Sequence, residues 1–248
     1  MKKILSILSF CIALSNIPLA QSQEEPQKFL NLSVARTAGC RPVYLKSPKI
    51  QSCVVSTRGS NELHLGIYDR TPSGGFLLQQ TFAITSWYLA AIVDFPDLFG
   101  DGRRFIGVRF EGNTGTGVMQ CVYLLVGWNQ DHYEAALLES VDYQRAPPGF
   151  FSHFKMAMRI QKGPMPELLL NFSDYSKERG AWPVSESWSE NLAWNPQTFS
   201  FYDQEVEKAK ISHGSEQRSQ IGKGRLEFLK TKPDLNNLDF DYLEKVGI

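Results

Sequence analysis

The chain is poor in the residues that build familiar reactive centres. Cysteine occurs four times in 248 residues and never at C-x-x-C spacing, which leaves out the common zinc and dithiol frameworks. Histidine also occurs four times, as His64, His132, His153 and His213, too scattered for an H-E-x-x-H or H-x-x-x-H metal pair. No G-x-S-x-G elbow is present, so the signature of an α/β-hydrolase serine is missing. Charge of one sign is not in excess, since 26 basic residues balance 26 acidic ones. A protein that grips nucleic acid by counterion release needs a positive surplus, so no nucleic-acid partner is expected. Beyond the first twenty residues no apolar run is long enough to cross a bilayer as a helix, and no transmembrane segment is expected.

What is present begins with an address. Met1, Lys2 and Lys3 form a short basic start, and residues 4–14 form an apolar run too short for a stable membrane span. Small residues follow at Ala20 and Ser22. Residues 1–22 are therefore predicted to be a secretory signal peptide, with the rest of the chain exported to the periplasm or beyond the cell. An oxidising destination makes a disulfide plausible between Cys40 and Cys53, which flank a loop containing two prolines. Closing a loop of that size stabilises by about 3 kcal/mol in the chain-entropy model. Cys121 lies within the apolar run 119–126 and reads as a small core hydrophobe.

From Ser52 onward, apolar runs of about five to eight residues recur between turn signals, the spacing of an antiparallel all-β domain. Residues 63–68 and 76–82 flank Asp69-Arg-Thr-Pro-Ser-Gly-Gly75 and read as a hairpin. Residues 87–95, 104–110, 118–128, 133–139 and 154–160 read as further strands, with 118–128 apolar enough to be covered on both faces. Strands that end in Tyr68, Trp128 or Trp194 are each followed by a polar turn and an aromatic, Phe76, Tyr133 or Phe199, at a spacing of roughly sixty residues. The expected fold is mainly β, an antiparallel meander of hairpin repeats, propeller-like or sandwich, over residues 23–206. The polar stretch 173–190 reads as a long surface loop. Residues 207–248 read as a basic tail, solvated along 208–232, where Gly222 and Gly224 argue against a regular helix, and closed by a short C-terminal helix near 235–246.

The loop from Asp94 through Asp97 to Asp101 and Gly102 sets three carboxylates and two glycines between two apolar strands. It suits either a calcium ion or a sharp turn in which each Asp caps its own backbone. Residues 92–102, continuing into 104–108 and the Gly127-Trp128…Tyr133 turn, resemble an FG-GAP/VCBS type of β-propeller repeat. That resemblance implies a calcium loop in which Asp97 supplies the first carboxylate and Asp101 with Gly102 the closing pair, and it implies a binding or scaffold module. Phe99 stands where the repeat places its second oxygen ligand, and the turn is the preferred reading of the loop.

Gly112-Asn-Thr-Gly115-Thr-Gly117 joins two strands instead of opening a helix, so it reads as a hairpin loop and not a phosphate cradle. Carboxylate pairs such as Asp94 with Asp101, or Glu139 with Asp142, would be needed for glycoside hydrolysis. Trp182, Trp188 and Trp194 form the densest aromatic group and are the candidates for stacking on a sugar or filling a protein interface. The expected function is therefore binding, with a protein or glycan partner and no cofactor; an exported hydrolase that uses one of the carboxylate pairs is the alternative. Alkylation of the unreduced protein is expected to leave Cys40 and Cys53 unlabelled; labelling of both would remove the predicted bridge.

Overall fold

Alternation of apolar and polar residues at period two carries most of the chain into strands. The structure is a computed structural model that describes residues 29–30, 34–35, 39–87 and 90–247. The predicted signal peptide lies outside the described residues. The first sheet is built from β1 (Phe29–Leu30), β2 (Arg41–Ser47), β3 (Ile50–Arg58), β4 (Glu62–Arg70) and β5 (Phe76–Thr85), in the order β1-β5-β4-β3-β2. The second is a seven-stranded meander in strict chain order. It comprises β6 (Ala90–Asp94), β7 (Ile106–Glu111), β8 (Val118–Asn129), β9 (His132–Arg145), β10 (Phe150–Gln161), β11 (Glu167–Glu178) and β12 (Val184–Ala193). Paired strands are antiparallel throughout both sheets. The fold is thus mainly β with two packed sheets, as the patterning implied.

The sheets meet through one apolar core that includes Leu65, Ile67 and Phe82 from the first and Val108, Leu124 and Val126 from the second. Phe82 meets Tyr133 edge-on at 6.1 Å, and the Lys46 ammonium sits 4.0 Å from the Trp128 ring centre. Residues 122–127 of β8 are buried in succession, so this strand is covered on both faces. A smaller core of Leu30, Ala35, Val55, Tyr68 and Phe76 surrounds Cys53, which is bonded to Cys40. Cys121 is half-buried on β8.

Two stretches depart from the sequence reading. Residues 173–190 are not a loop, because β11 and β12 pair from Glu167↔Ala193 to Ser176↔Val184. Their inward positions, Leu168, Leu170, Phe172, Trp188 and Leu192, are buried, but serine, asparagine and charged residues alternate with them and dilute the apolar signal. The third strand pair of the apparent repeat is also absent: after Trp194 a single bridge, Asn195↔Ser200, stands where a strand was expected.

The basic stretch is helical. It forms α1 (Gln204–His213) and α2 (Glu216–Lys230), followed by α3 (Phe240–Lys245). Asp203 caps α1 by accepting the N–H groups of Glu205 and Val206 at 2.9 and 3.0 Å. The glycines that argued against a helix are required by packing. A Cβ on Gly222 would stand 3.0 Å from the Glu207 carbonyl of α1, and one on Gly224 would strike the Val246 carbonyl. The helix propensity lost at these two positions, about 1 kcal/mol each, is offset by the close approach of three chain segments.

These helices fill an opening in the second sheet. β10 pairs with β9 only along residues 142–145 of β9, so the upper half of β9 lacks a strand on that side. Its backbone is satisfied by other means. Phe201 N–H reaches the Ala136 carbonyl at 3.3 Å. The Tyr202 hydroxyl accepts from Leu138 N–H at 3.2 Å and donates to the Leu138 carbonyl at 2.7 Å. Lys232 Nζ donates to the carbonyls of Ala135 and Phe199 at 2.7 and 3.1 Å and pairs with Glu134 at 3.2 Å. Burial pushes the Lys232 pKa down to about 8 against the pull of Glu134, and the amine remains protonated at neutral pH.

At the centre of the opening Arg225 is buried. Its Nε binds Glu139 of β9 at 2.7 Å, and its Nη1 reaches Glu190 of β12 at 2.6 Å and Glu207 of α1 at 3.4 Å. Lys210 binds Glu190 and Glu207, both at 2.8 Å. Three carboxylates therefore face two cations. The surplus falls on Glu207, whose Oε2 is buried without a hydrogen-bond partner. Burial raises the Glu207 pKa, with Arg225 and Lys210 only partly opposing it. Burial would also raise Glu190, but there the same two cations prevail and hold its carboxyl below the usual range. The raised group stabilises the fold fully below the ordinary carboxylate range, and that contribution is lost as pH rises through its folded value; for Glu190 the contribution is lost as pH falls through its lowered value. Glu207→Gln is therefore expected to melt higher than the parent at pH 8, with the gap closing toward pH 4; a lower melt at pH 8 would show that the third negative charge is needed. Arg225→Met, which strands the carboxylates, is expected to cost about 3–5 kcal/mol in denaturant unfolding.

Candidate functional site

A strand that patterning predicted, β10, and two that it read largely as a loop, β11 and β12, together carry a surface cleft. In β10, β11 and β12 successive side chains point to opposite faces, and the register aligns them into rows. Met156, Phe172 and Trp188 form one row turned inward, where Phe172 and Trp188 stack at 4.9 Å. The rows on either side turn outward. Asp142 of β9, Lys155, Ser173 and Ser187 form one, and Ala157, Asn171 and Ser189 form the other. Together they line a cleft of about 540 Å³. The aromatic layer beneath fixes the strand positions, so the polar groups above it are held on a rigid floor.

Inside the cleft the Asp142 carboxylate lies 2.9 Å from His153 Nε2, a nitrogen that also has Gln144 Nε2 at 3.2 Å. Ser189 Oγ donates to Asn171 Oδ1 at 2.7 Å, which leaves the Asn171 amide nitrogen to donate outward. Lys155 is half-buried and makes no ion pair among the described residues. Further along the same face, Tyr175 in the next row and Phe151 in the row beyond it place their rings 6.0 Å apart, each 37% exposed. The assembly offers hydroxyl, amide, carboxylate and ammonium groups beside two partly uncovered aromatic rings. That mixture suits a polyhydroxylated ligand, which presents many hydrogen-bonding edges and apolar C–H faces.

The acidic loop has a different role. Asp94 is part-buried and accepts the Tyr123 hydroxyl at 3.1 Å. Its pKa is raised by burial, with Tyr123 and Arg109 opposing, while burial and Asp94 together push the Tyr123 hydroxyl up. Asp97 accepts Gly100 N–H at 2.9 Å, the local cap of a tight turn. Asp101 binds Arg103 through its backbone N–H at 2.9 Å and through Nε at 2.7 Å. The small cost of burying Asp101 is outweighed by these Arg103 contacts, which lower its pKa. Gly100 and Gly102 adopt φ of +73° and +89°, the left-handed region that such a turn needs. Phe99 packs against Phe105 at 6.0 Å and edge-on against Trp194 at 5.6 Å, and Leu98 is fully buried. The residues present do not fit a calcium ion: each carboxylate serves a separate local contact, and among the described residues no group of three or more His, Cys, Asp or Glu side chains could hold a metal.

The other predicted site residues are dispersed. Trp188 and Trp194 belong to the core, at 6% and 5% exposure, while Trp182 stands 90% exposed between β11 and β12. The tryptophan group is therefore not a shared binding surface. Glu139 is locked beneath α2 by Arg225, and Asp142 lines the cleft beside His153, so this carboxylate pair serves two separate environments. Asp94 and Asp101 likewise face Tyr123 and Arg103. The signal that could have located the cleft is the alternation of Ser185, Ser187 and Ser189 with Glu186, Trp188 and Glu190, which reads as a strand with one small, polar face.

Comparison with known protein families, with curated proteins and with solved structures finds no match. A thermal melt in millimolar calcium is expected to coincide with one in chelator. A rise in melting temperature with calcium, abolished by Asp101→Asn, would restore the loop as a metal site.

Proposed function

We propose that this is an exported, non-catalytic binding module whose ligand is a glycan laid across the outward face of β9–β12. The observation that carries the reading is the cleft itself: a groove on the sheet whose mostly apolar lining carries polar groups from Asp142, Lys155, Asn171, Ser173 and Ser187, with the Phe151–Tyr175 ring pair nearby. Export is supported by the basic and apolar start of the chain, by the Cys40–Cys53 bridge, and by the fact that no described helix is long and apolar enough to cross a membrane. The likeness of residues 92–133 to FG-GAP/VCBS repeats points in the same direction, toward binding or scaffolding.

The competing reading, an exported hydrolase, draws on Asp142 and His153 because the two form a close pair inside the groove. The carboxylate pairs that glycoside hydrolysis would use do not converge, and His153 Nε2 is engaged by Asp142 and Gln144 and not by a serine. Immobilised glycans probed with the purified chain separate the two readings. Binding is expected, with Tyr175→Ala weakening it by up to about tenfold and Ser187→Trp blocking the groove. Glycan fragments released during incubation, and lost in Asp142→Asn, would establish the hydrolase instead.

A further inference from the structure

The charges on this face are not balanced, and the imbalance has a direction. By strand alternation, Lys155, Arg159 and Lys177 all project from the outward face of β10 and β11, opposite Asp142, Leu169 and Phe151 respectively. None of the three makes an ion pair among the described residues. The carboxylates on the same face are already engaged: Asp142 holds His153 at 2.9 Å, and Glu167 accepts the Asn191 amide at 2.8 Å. Lys155 is the one of these cations that lines the cleft, and it is the half-buried one, whereas Arg159 and Lys177 are exposed. Asp142, the carboxylate opposite Lys155, is held by His153 and forms no ion pair with the ammonium, which is left able to take a ligand anion.

We infer that the cleft recognises an acidic saccharide, with the carboxylate of a uronic acid on Lys155 and the ring hydroxyls on Ser173, Ser187 and Asn171. This rests on the glycan-binding reading of the same groove. The choice of a carboxylate over a phosphate follows from the count of donors. A phosphate dianion is met by several cations or by a nest of free backbone N–H groups, and here a single ammonium lines the groove while the N–H groups between β10 and β11 and between β11 and β12 are tied into the ladder. Asn171, whose carbonyl is occupied by Ser189, offers N–H donors to a hydroxyl or to the second carboxylate oxygen. Phe151 and Tyr175 then border the next sugar along the sheet.

The test uses the full chain and its Lys155→Met, Lys155→Arg and Ser187→Trp variants, each checked for an unchanged far-ultraviolet spectrum and melting temperature. Binding is measured by calorimetry to oligogalacturonate, to a neutral oligomer of the same linkage, and to a phosphorylated mannan. The inference expects oligogalacturonate to bind more tightly than the neutral oligomer. Affinity should fall about tenfold or more in Lys155→Met, the loss of one charge-assisted hydrogen bond, and largely recover in Lys155→Arg. Ser187→Trp should abolish binding. Equal binding of neutral and acidic oligomers, blocked by Ser187→Trp but indifferent to Lys155→Met, overturns the acidic ligand and keeps the groove. Preference for the phosphorylated mannan overturns the carboxylate assignment. Failure of all three glycans to bind overturns both the inference and the reading beneath it.

Discussion

Arg225 is the contact on which the rest of the second sheet depends. A sheet that loses its neighbour halfway along a strand presents unpaired backbone to the interior, and β9 does so before residue 142. Tyr202, Lys232 and Phe201 supply the missing hydrogen bonds, but they come from the segment around the helices and hold only if the helices stay in the opening. The Arg225 guanidinium fixes them there, because it ties Glu139 on β9 to Glu190 on the edge strand β12, together with Glu207 on α1. A buried ion network of this kind contributes little net stability relative to apolar packing, since desolvation consumes most of the attraction. Its effect here is geometric: it ties β9, β12 and α1 to one side chain of α2.

Much of the fold was legible because most strands bury one face. Leu63, Leu65 and Ile67 on β4, or Val122 through Val126 on β8, declare themselves by alternation or by continuous burial. The Cys40–Cys53 bridge was legible from spacing and compartment. Residues 173–190 were misread because the property that makes their outward face a surface for ligands, small hydroxyl and amide side chains at every second position, is also the composition of loops. The short C-terminal helix was expected and is present as α3, but the basic stretch that forms α1 and α2 could not be assigned, for the opposite reason. Gly222 and Gly224 normally weaken helices, and their role becomes visible only when α1 and the segment after α3 are seen against them. Which lysines and arginines would be buried could not be read either, since Arg225 and Lys232 are surrounded by partners from Glu134, Ala135 and Glu139, distant in sequence.

The acidic loop and the groove show how different a conspicuous motif and a built site are. The loop concentrates three aspartates within eight residues, yet each carboxylate is consumed by a neighbouring N–H, guanidinium or hydroxyl, and Phe99 anchors the turn in an aromatic core with Phe105 and Trp194. The groove draws Asp142, Lys155, Ser173 and Ser187 from four strands, none of them notable alone, and leaves their polar atoms facing solvent over a stacked aromatic floor. Convergence across strands, and not density along the chain, is what gives a sheet surface chemical capacity.

The placement of the last fifty residues has a consequence for how the molecule is made. The segment between α2 and α3 lies along β5 of the first sheet, where Leu238 N–H donates to the Ala83 carbonyl, Ala83 N–H to the Leu235 carbonyl and Thr85 N–H to the Leu238 carbonyl, while α2 is wedged into the second. The guanidinium that spans the split lies 86 residues beyond its partner Glu139. A chain emerging from the ribosome can therefore pair its early hairpins but cannot seal the interior until Arg225 has emerged. Until then the half-open β9 edge is exposed to other strands, and that interval is when this chain is most vulnerable to pairing with a neighbour.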